Sequence, residues 1–262
     1  MLLFLKKIIF KLMELSLGLR PLLPLETKNP IFLNFRLTEE EQRAVRRALP
    51  AGFELLPLRF FADDPEPAFW VSYNLYAIKY PRPELADVRK ARCEINTFVR
   101  DAGGREGVFV FCGSPFVSRE EGGSFFGRLC DAAEALVVRL YGCGRLTSLG
   151  YELGADRLVI ALDEADNTVA LDVALTSARA EARLSDDYAR FNDVSFFNGG
   201  RTFDLVNVNS AFSLARFETI EDDRLAAVRV HGPFFTRPPD GIHFHRGEIP
   251  YLVSALHRGT GG

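Results

Sequence analysis

RCEINTFVRDAGGREGVFVFCGSP, residues 92–115, decides the fold, because it predicts two strands joined in a hairpin at Gly103–Gly104. Side chains alternate between the two faces of a strand. One face of the first strand therefore carries Glu94, Asn96, Phe98 and Arg100. This polar row either faces water, with a local ion pair, or lines a pocket.

The composition predicts a globular protein and argues against several partners. With 262 residues, of which 47% are hydrophobic, the chain can bury a full core. The net charge is −3 and the arginines are interspersed with acidic residues, so nucleic acid is not a predicted partner. No P-loop and no GxGxxG follows a strand, and no cofactor is predicted. The cysteines have irregular spacing and no CxxC, which favours free thiols in the cytoplasm. They are Cys93, Cys112, Cys130 and Cys143.

Residues 1–28 are predicted to form an amphipathic helix followed by a Pro-rich connector. In MLLFLKKIIFKLMELSLGLRPLLPL, three lysines and Glu14 gather on a narrow side and leucines and isoleucines on a wide one. The segment is too short and too charged to span a bilayer, and no small-residue cleavage site follows it. The helix over residues 1–21 either packs on its own domain or on a second copy in a homo-oligomer, or it lies peripherally on the inner face of a membrane. A membrane protein complex is a further candidate partner.

The remaining chain predicts roughly ten strands and two or three helices. LTEEEQRAVRRAL reads as a helix with Thr38 as N-cap and Glu41 closing a capping box. A second helix is predicted from Ser124 to Gly142, a short polar one over 83–90, and a hairpin around 164–167. The predicted fold class is α+β, mainly antiparallel β: a cone-shaped or closed β-barrel with two or three flanking helices and the N-terminal helix.

The element order and the motif around Glu94 resemble those of the acetoacetate decarboxylase-like superfamily. The resemblance rests on Glu94, Asn96, the turn at Gly103–Gly104 and the GVFVF strand, and by element order it extends over roughly residues 30–220. It implies a barrel domain over 29–262, with an apolar interior pocket and Glu94 at the position of a functional glutamate. The decarboxylase of that family uses a Schiff-base lysine after the GVFVF-like strand, where this chain has CGSPFVSREEGGSFFGRL and no lysine. Arginine cannot form the imine, so lysine-dependent decarboxylation is not predicted.

Two functions are compatible with this pattern. The first is a site for a small apolar or acidic molecule, such as a carboxylic or keto acid, with Glu94 as acid or base and Asn96 and Arg100 as binding residues. Asn207 and Asn209 share a strand face and either add hydrogen-bonding groups to this site or bond to the backbone. The second is a non-catalytic interaction protein that docks through its N-terminal helix.

The segment GIHFHR places His243 and His245 on one side of a strand. That spacing can bind a metal if Asp240 or Glu248 joins, but Pro238–Pro239 just before it indicates a surface loop. Because spacing fixes no third ligand, no metal site is predicted.

Overall fold

The computed structural model describes residues 22–79, 90–117, 148–154, 157–164, 167–175, 180–191, 194–197, 201–206, 216–220, 225 and 228–254. These ranges contain two helices, α1 (Glu39–Ala48) and α2 (Asp186–Phe191). The strands are β1 (Leu22–Arg36), β2 (Glu54–Leu55), β3 (Trp70–Lys79), β4 (Lys90–Arg100), β5 (Glu106–Val117), β6 (Ser148–Leu153), β7 (Arg157–Glu164), β8 (Asn167–Ala174), β9 (Ala180–Arg183), β10 (Val194–Phe197), β11 (Arg201–Val206), β12 (Arg216–Ile220), β13 (Arg229–His231), β14 (Gly241–Phe244) and β15 (Glu248–Ser254).

The helices predicted over residues 1–21 and from Ser124 to Gly142 lie outside the described residues, as does most of the short helix predicted over 83–90. Residues 22–28, which the sequence assigns to a connector, belong to β1 and pair with β15. In the part of the chain that the structure describes, no helix has the length and apolar composition needed to cross a membrane.

The strands form two sheets. The larger has eleven strands in the order β15-β11-β10-β5-β4-β3-β1-β14-β12-β9, with β2 attached to β4 and a further pairing of β15 with β1. Its pairings are antiparallel apart from the parallel pair β5 and β10. The smaller sheet has the order β13-β8-β7-β6.

The prediction that the strands form one cone-shaped or closed β-barrel is wrong, because the described strands form two separate sheets and the larger one branches at β1. A bulge interrupts β1 between Lys28 and Ile31. Leu22–Lys28 pair with β15, whereas Ile31–Asn34 pair with β14. β14 leads on to β12 and β9, whereas β15 pairs with β11 at the other end of the strand order. Alternation in the sequence predicts strands but not their neighbours, so it could not reveal this division.

The local predictions for α1 and for two hairpins are confirmed. The Glu41 amide donates to Thr38 Oγ1 at 3.3 Å and the Thr38 amide to Glu41 Oε2 at 2.8 Å, which is the predicted capping box. β4 and β5 pair along their length, and Gly104 between them has a φ of 80°, which glycine adopts at no steric cost. β7 and β8 pair up to Glu164 and Asn167.

The two faces of the larger sheet bury different residues. One face packs against the four-stranded sheet through a continuous core, to which Ile31, Leu33, Val71, Leu158, Ile160 and Val169 belong. The other, called the aromatic face below, is covered by α2 and by the segment that follows β2. Its principal residues are Phe32, Phe60, Trp70, Phe98, Tyr188 and Phe217.

Candidate functional site

The polar row of β4 is buried at Asn96 and Phe98, whereas its end at Arg100 is partly exposed and forms a local ion pair. Asn96 is 3% exposed and Glu94 is half-buried, and both lie on the aromatic face with Phe98. The Asn96 Nδ2 donates to Glu94 Oε2 at 3.3 Å. The alternative that this part of the row faces water is therefore wrong for Asn96.

Arg100, the predicted carboxylate anchor, is not brought to Glu94. The two residues are six positions apart on one strand, which is about 20 Å at the usual rise per residue. Arg100 instead donates to Glu106 at 2.7 Å and to Glu54 at 3.2 Å, at the end of the sheet. One small ligand cannot contact both Glu94 and Arg100.

Four buried side chains that sequence reasoning did not assign to this site lie beside Glu94 and Asn96. Ser72 is directly opposite both Asn34 and Asn96 in the sheet, and Asn74 is directly opposite Glu94. His243 comes from β14, on the other side of β1. Together they form the polar cluster, which consists of Asn34, Ser72, Asn74, Glu94, Asn96 and His243.

Hydrogen bonds join Asn34, Ser72, Asn74 and His243 across three strands. Ser72 Oγ lies 2.6 Å from Asn34 Oδ1 and 2.7 Å from Asn74 Oδ1. Asn34 Nδ2 lies 2.9 Å from His243 Nδ1. A hydroxyl has one proton, so Ser72 can donate to only one of the two amide oxygens at a time. In the sequence, polar residues alternate at Ser72 and Asn74 and at Glu94 and Asn96, but only the strand pairing shows that these residues meet.

His243 is buried, so the surface loop inferred from Pro238–Pro239 is wrong at this position. It is 4% exposed, and its ring stacks on Phe61 with 3.8 Å between centroids. His245 is half-buried, and its Nδ1 lies 2.9 Å from the Arg216 carbonyl oxygen. Among the residues that the structure describes, no three His, Cys, Asp or Glu side chains are grouped to hold a metal ion.

α2 places an aromatic hydroxyl near Glu94. The Tyr188 amide donates to Ser185 Oγ at 3.0 Å, and Ser185 Oγ donates to the Arg59 carbonyl, which fixes the start of the helix. The Tyr188 ring contacts Phe32, Phe60 and Phe98, at centroid distances of 6.2, 4.6 and 5.8 Å. Burial raises the pKa of Tyr188 well above its ordinary value, and the negative charge of Glu94 raises it further. Tyr188 is therefore a neutral hydrogen-bonding group beside Glu94.

Asn96 has a buried acceptor without a partner. In the described part of the chain, Asn96 Oδ1 and Thr219 Oγ1 are buried side-chain atoms that make no hydrogen bond. Directly opposite, in β5, Phe111 is the extra residue of a β-bulge, because Ile95 pairs with Cys112 and Asn96 with Val110. Bulges redirect side chains and are common beside active sites.

The other predicted site residues cannot be placed with this cluster. Asn207 and Asn209 lie outside the described residues. A separate surface depression of about 340 Å³ is lined by Ala62, Asp63, Arg183 and Arg216, and Glu94 is not among its lining residues.

Comparison with known proteins gives no relative. No protein-family model, no curated protein and no solved structure matches this chain. The resemblance to the acetoacetate decarboxylase-like superfamily therefore stays a prediction. The fold and the site define a mainly antiparallel β protein with a polar cluster buried on an aromatic sheet face.

Proposed function

We propose that the polar cluster binds a small molecule and that Glu94 acts on this molecule as an acid or base. The observation that carries the proposal is that polar side chains from four strands meet on a face that is otherwise aromatic. Burying such groups is costly unless each of them is hydrogen-bonded. A purely structural sheet face could be filled with apolar residues instead.

Glu94 is the residue through which a ligand would reach the cluster. It is half-buried, whereas Asn34, Ser72, Asn74, Asn96 and His243 are each at most 9% exposed. A carboxylate in contact with a ligand can transfer a proton without a lysine, for example in enolisation, hydration or dehydration beside a carbonyl group.

The nature of the ligand needs revision from the sequence-based prediction. A small carboxylic or keto acid was expected because Arg100 would hold its carboxylate. Since Arg100 bonds to Glu54 and Glu106 at the far end of β4, this support for an acidic ligand is lost.

The alternative is a non-catalytic interaction protein that docks through residues 1–21 on a membrane or a membrane protein complex. It depends on residues outside the described ranges, as does the proposed cytoplasmic location at the inner membrane face. No contact among the described residues favours it over the binding site.

A ligand screen against matched variants tests the proposal. Full-length protein is screened by thermal shift against a library of small metabolites, and each hit is measured by calorimetry on wild type, Glu94→Gln and Glu152→Gln. Glu152 is an exposed strand glutamate on β6 and serves as the control. We expect hits that bind wild type and Glu152→Gln but bind Glu94→Gln at least about tenfold more weakly. A screen without hits, or hits with equal affinity for all three proteins, would refute the proposed site.

A further inference from the structure

The cluster has an excess of hydrogen-bond acceptors where it meets Glu94. Asn96 Oδ1 is buried and makes no hydrogen bond. Asn74, which is directly opposite Glu94, competes with Asn34 for the single proton of Ser72. Glu94 itself is an acceptor when ionised. A ligand that supplies a donor would satisfy Asn96 Oδ1, whereas one that supplies only acceptors would not.

Aromatic rings line the same part of the sheet. Phe98 lies two residues after Asn96 on the same face, and Tyr188 contacts it at 5.8 Å between centroids. Phe32 is directly opposite Asn74 in the sheet and contacts Tyr188 at 6.2 Å. These buried rings exclude water, and electrostatic interactions are stronger in such surroundings than in water.

We infer that the ligand of this site presents a positively charged nitrogen, as an ammonium or amidinium group, to Glu94 and Asn96 Oδ1. The inference rests on the proposed binding function and names the class of molecule. The carboxylate supplies the opposite charge and the amide oxygen accepts an N–H, and a hydrogen bond from a charged donor is stronger than one from a neutral donor. A carboxylic acid would place its own negative charge beside that of Glu94, which is unfavourable.

Compounds that share one ring and differ in head group test this inference. Benzylammonium, benzamidinium, benzyl alcohol and benzoate are titrated by calorimetry at pH 7 into full-length wild type, Glu94→Gln, Asn96→Asp and Glu152→Gln. The urea unfolding transition of each variant shows whether it is folded. Asn96→Asp keeps the shape of the side chain and adds a second carboxylate, so it gives a result even if Glu94→Gln does not fold.

We expect a cationic compound to bind wild type and Glu152→Gln at least about tenfold more tightly than benzoate does. Its affinity should fall at least about tenfold in Glu94→Gln and be maintained or increased in Asn96→Asp. Binding of benzoate or benzyl alcohol as tightly as the cations would overturn the inference, and so would failure of both cations to bind. The proposed function is judged separately, since a Glu94-dependent hit of another class in the metabolite screen would leave it standing.

Discussion

Replacing Arg237 by alanine is expected to destabilise the protein by about 2–4 kcal/mol. Arg237 donates to Glu41 from Nε at 2.8 Å and from Nη2 at 3.2 Å, to Asp240 at 2.9 Å and to the Arg36 carbonyl at 2.7 Å. It thereby holds α1 against β1 and the segment before β14. Hydrogen bonds to charged groups contribute about 1.5–3 kcal/mol each, but these are not additive and partial exposure weakens them.

The effect of Arg237 depends on pH through Glu41. Burial of the Glu41 carboxyl acts to raise its pKa, but hydrogen bonds from Arg237 and Thr38 outweigh burial and hold the pKa below its ordinary value. A carboxyl with a lowered folded-state pKa stabilises the fold above its ordinary pKa, and this stabilisation is lost as the pH falls through the lowered value. The difference between wild type and Arg237→Ala should therefore shrink below about pH 4.

Urea unfolding followed by far-UV circular dichroism, at pH 7 and at acidic pH, measures both effects. Arg43→Ala is the control, because Arg43 forms one exposed ion pair at 3.4 Å with Glu39 of the same helix and should cost only about 0.3–0.5 kcal/mol. Adding Glu41→Gln, which keeps an acceptor for the capping box, gives a double-mutant cycle with an expected coupling of about 1–2 kcal/mol. A coupling near zero, or an Arg237→Ala loss equal to that of Arg43→Ala, would show that Arg237 does not hold α1 in place.

Three further substitutions test other parts of the structure. Thr38→Ala removes the N-cap of α1 and should cost about 1 kcal/mol of the free energy of unfolding in the same urea assay, whereas an unchanged midpoint would contradict the capping box. Gly241→Ala would place a Cβ 2.8 Å from His243 Cε1, and because that ring is held by Phe61 we expect a loss of about 1–3 kcal/mol; a neutral result would mean that the ring moves freely. Tyr188→Phe should leave the phenolate absorbance titration unchanged below about pH 11, because the raised pKa keeps Tyr188 neutral there, and a missing transition in that range would refute its burial beside Glu94.

Local sequence patterns predicted individual helices, turns and strands, whereas the choice of neighbouring strands in the sheet depends on long-range pairing. The capping box of Thr38 and Glu41 and the turn at Gly103–Gly104 depend on neighbouring residues, and the structure contains both. Asn34 and His243 are 209 positions apart, and no local pattern says that β14 pairs with β1. The division of the sheet at the β1 bulge likewise depends on which strands are neighbours.

The same distinction explains how much of the site could be predicted. Glu94 and Asn96 share a face because strands alternate, so their proximity follows from the sequence alone. Arg100 shares that face as well, but residues that share a strand face can still be too far apart for one small ligand to contact both. Ser72 and Asn74 could not be assigned, because an alternating polar pattern in a strand equally predicts a face in water.

The polar cluster lowers the stability of the fold, and this loss supports a functional role for it. Asn96 Oδ1 is buried without a hydrogen bond, which costs about 1–3 kcal/mol relative to a satisfied or apolar group. The residues around it on the same face are aromatic and pack against one another, so an apolar side chain would be compatible with these surroundings. Fully satisfied polar networks can specify a unique core, but a partly satisfied one is worse than an apolar core. Asn96 Oδ1, an acceptor without a partner in the protein beside the half-buried Glu94, is consistent with the proposed ligand, which would supply the missing donor.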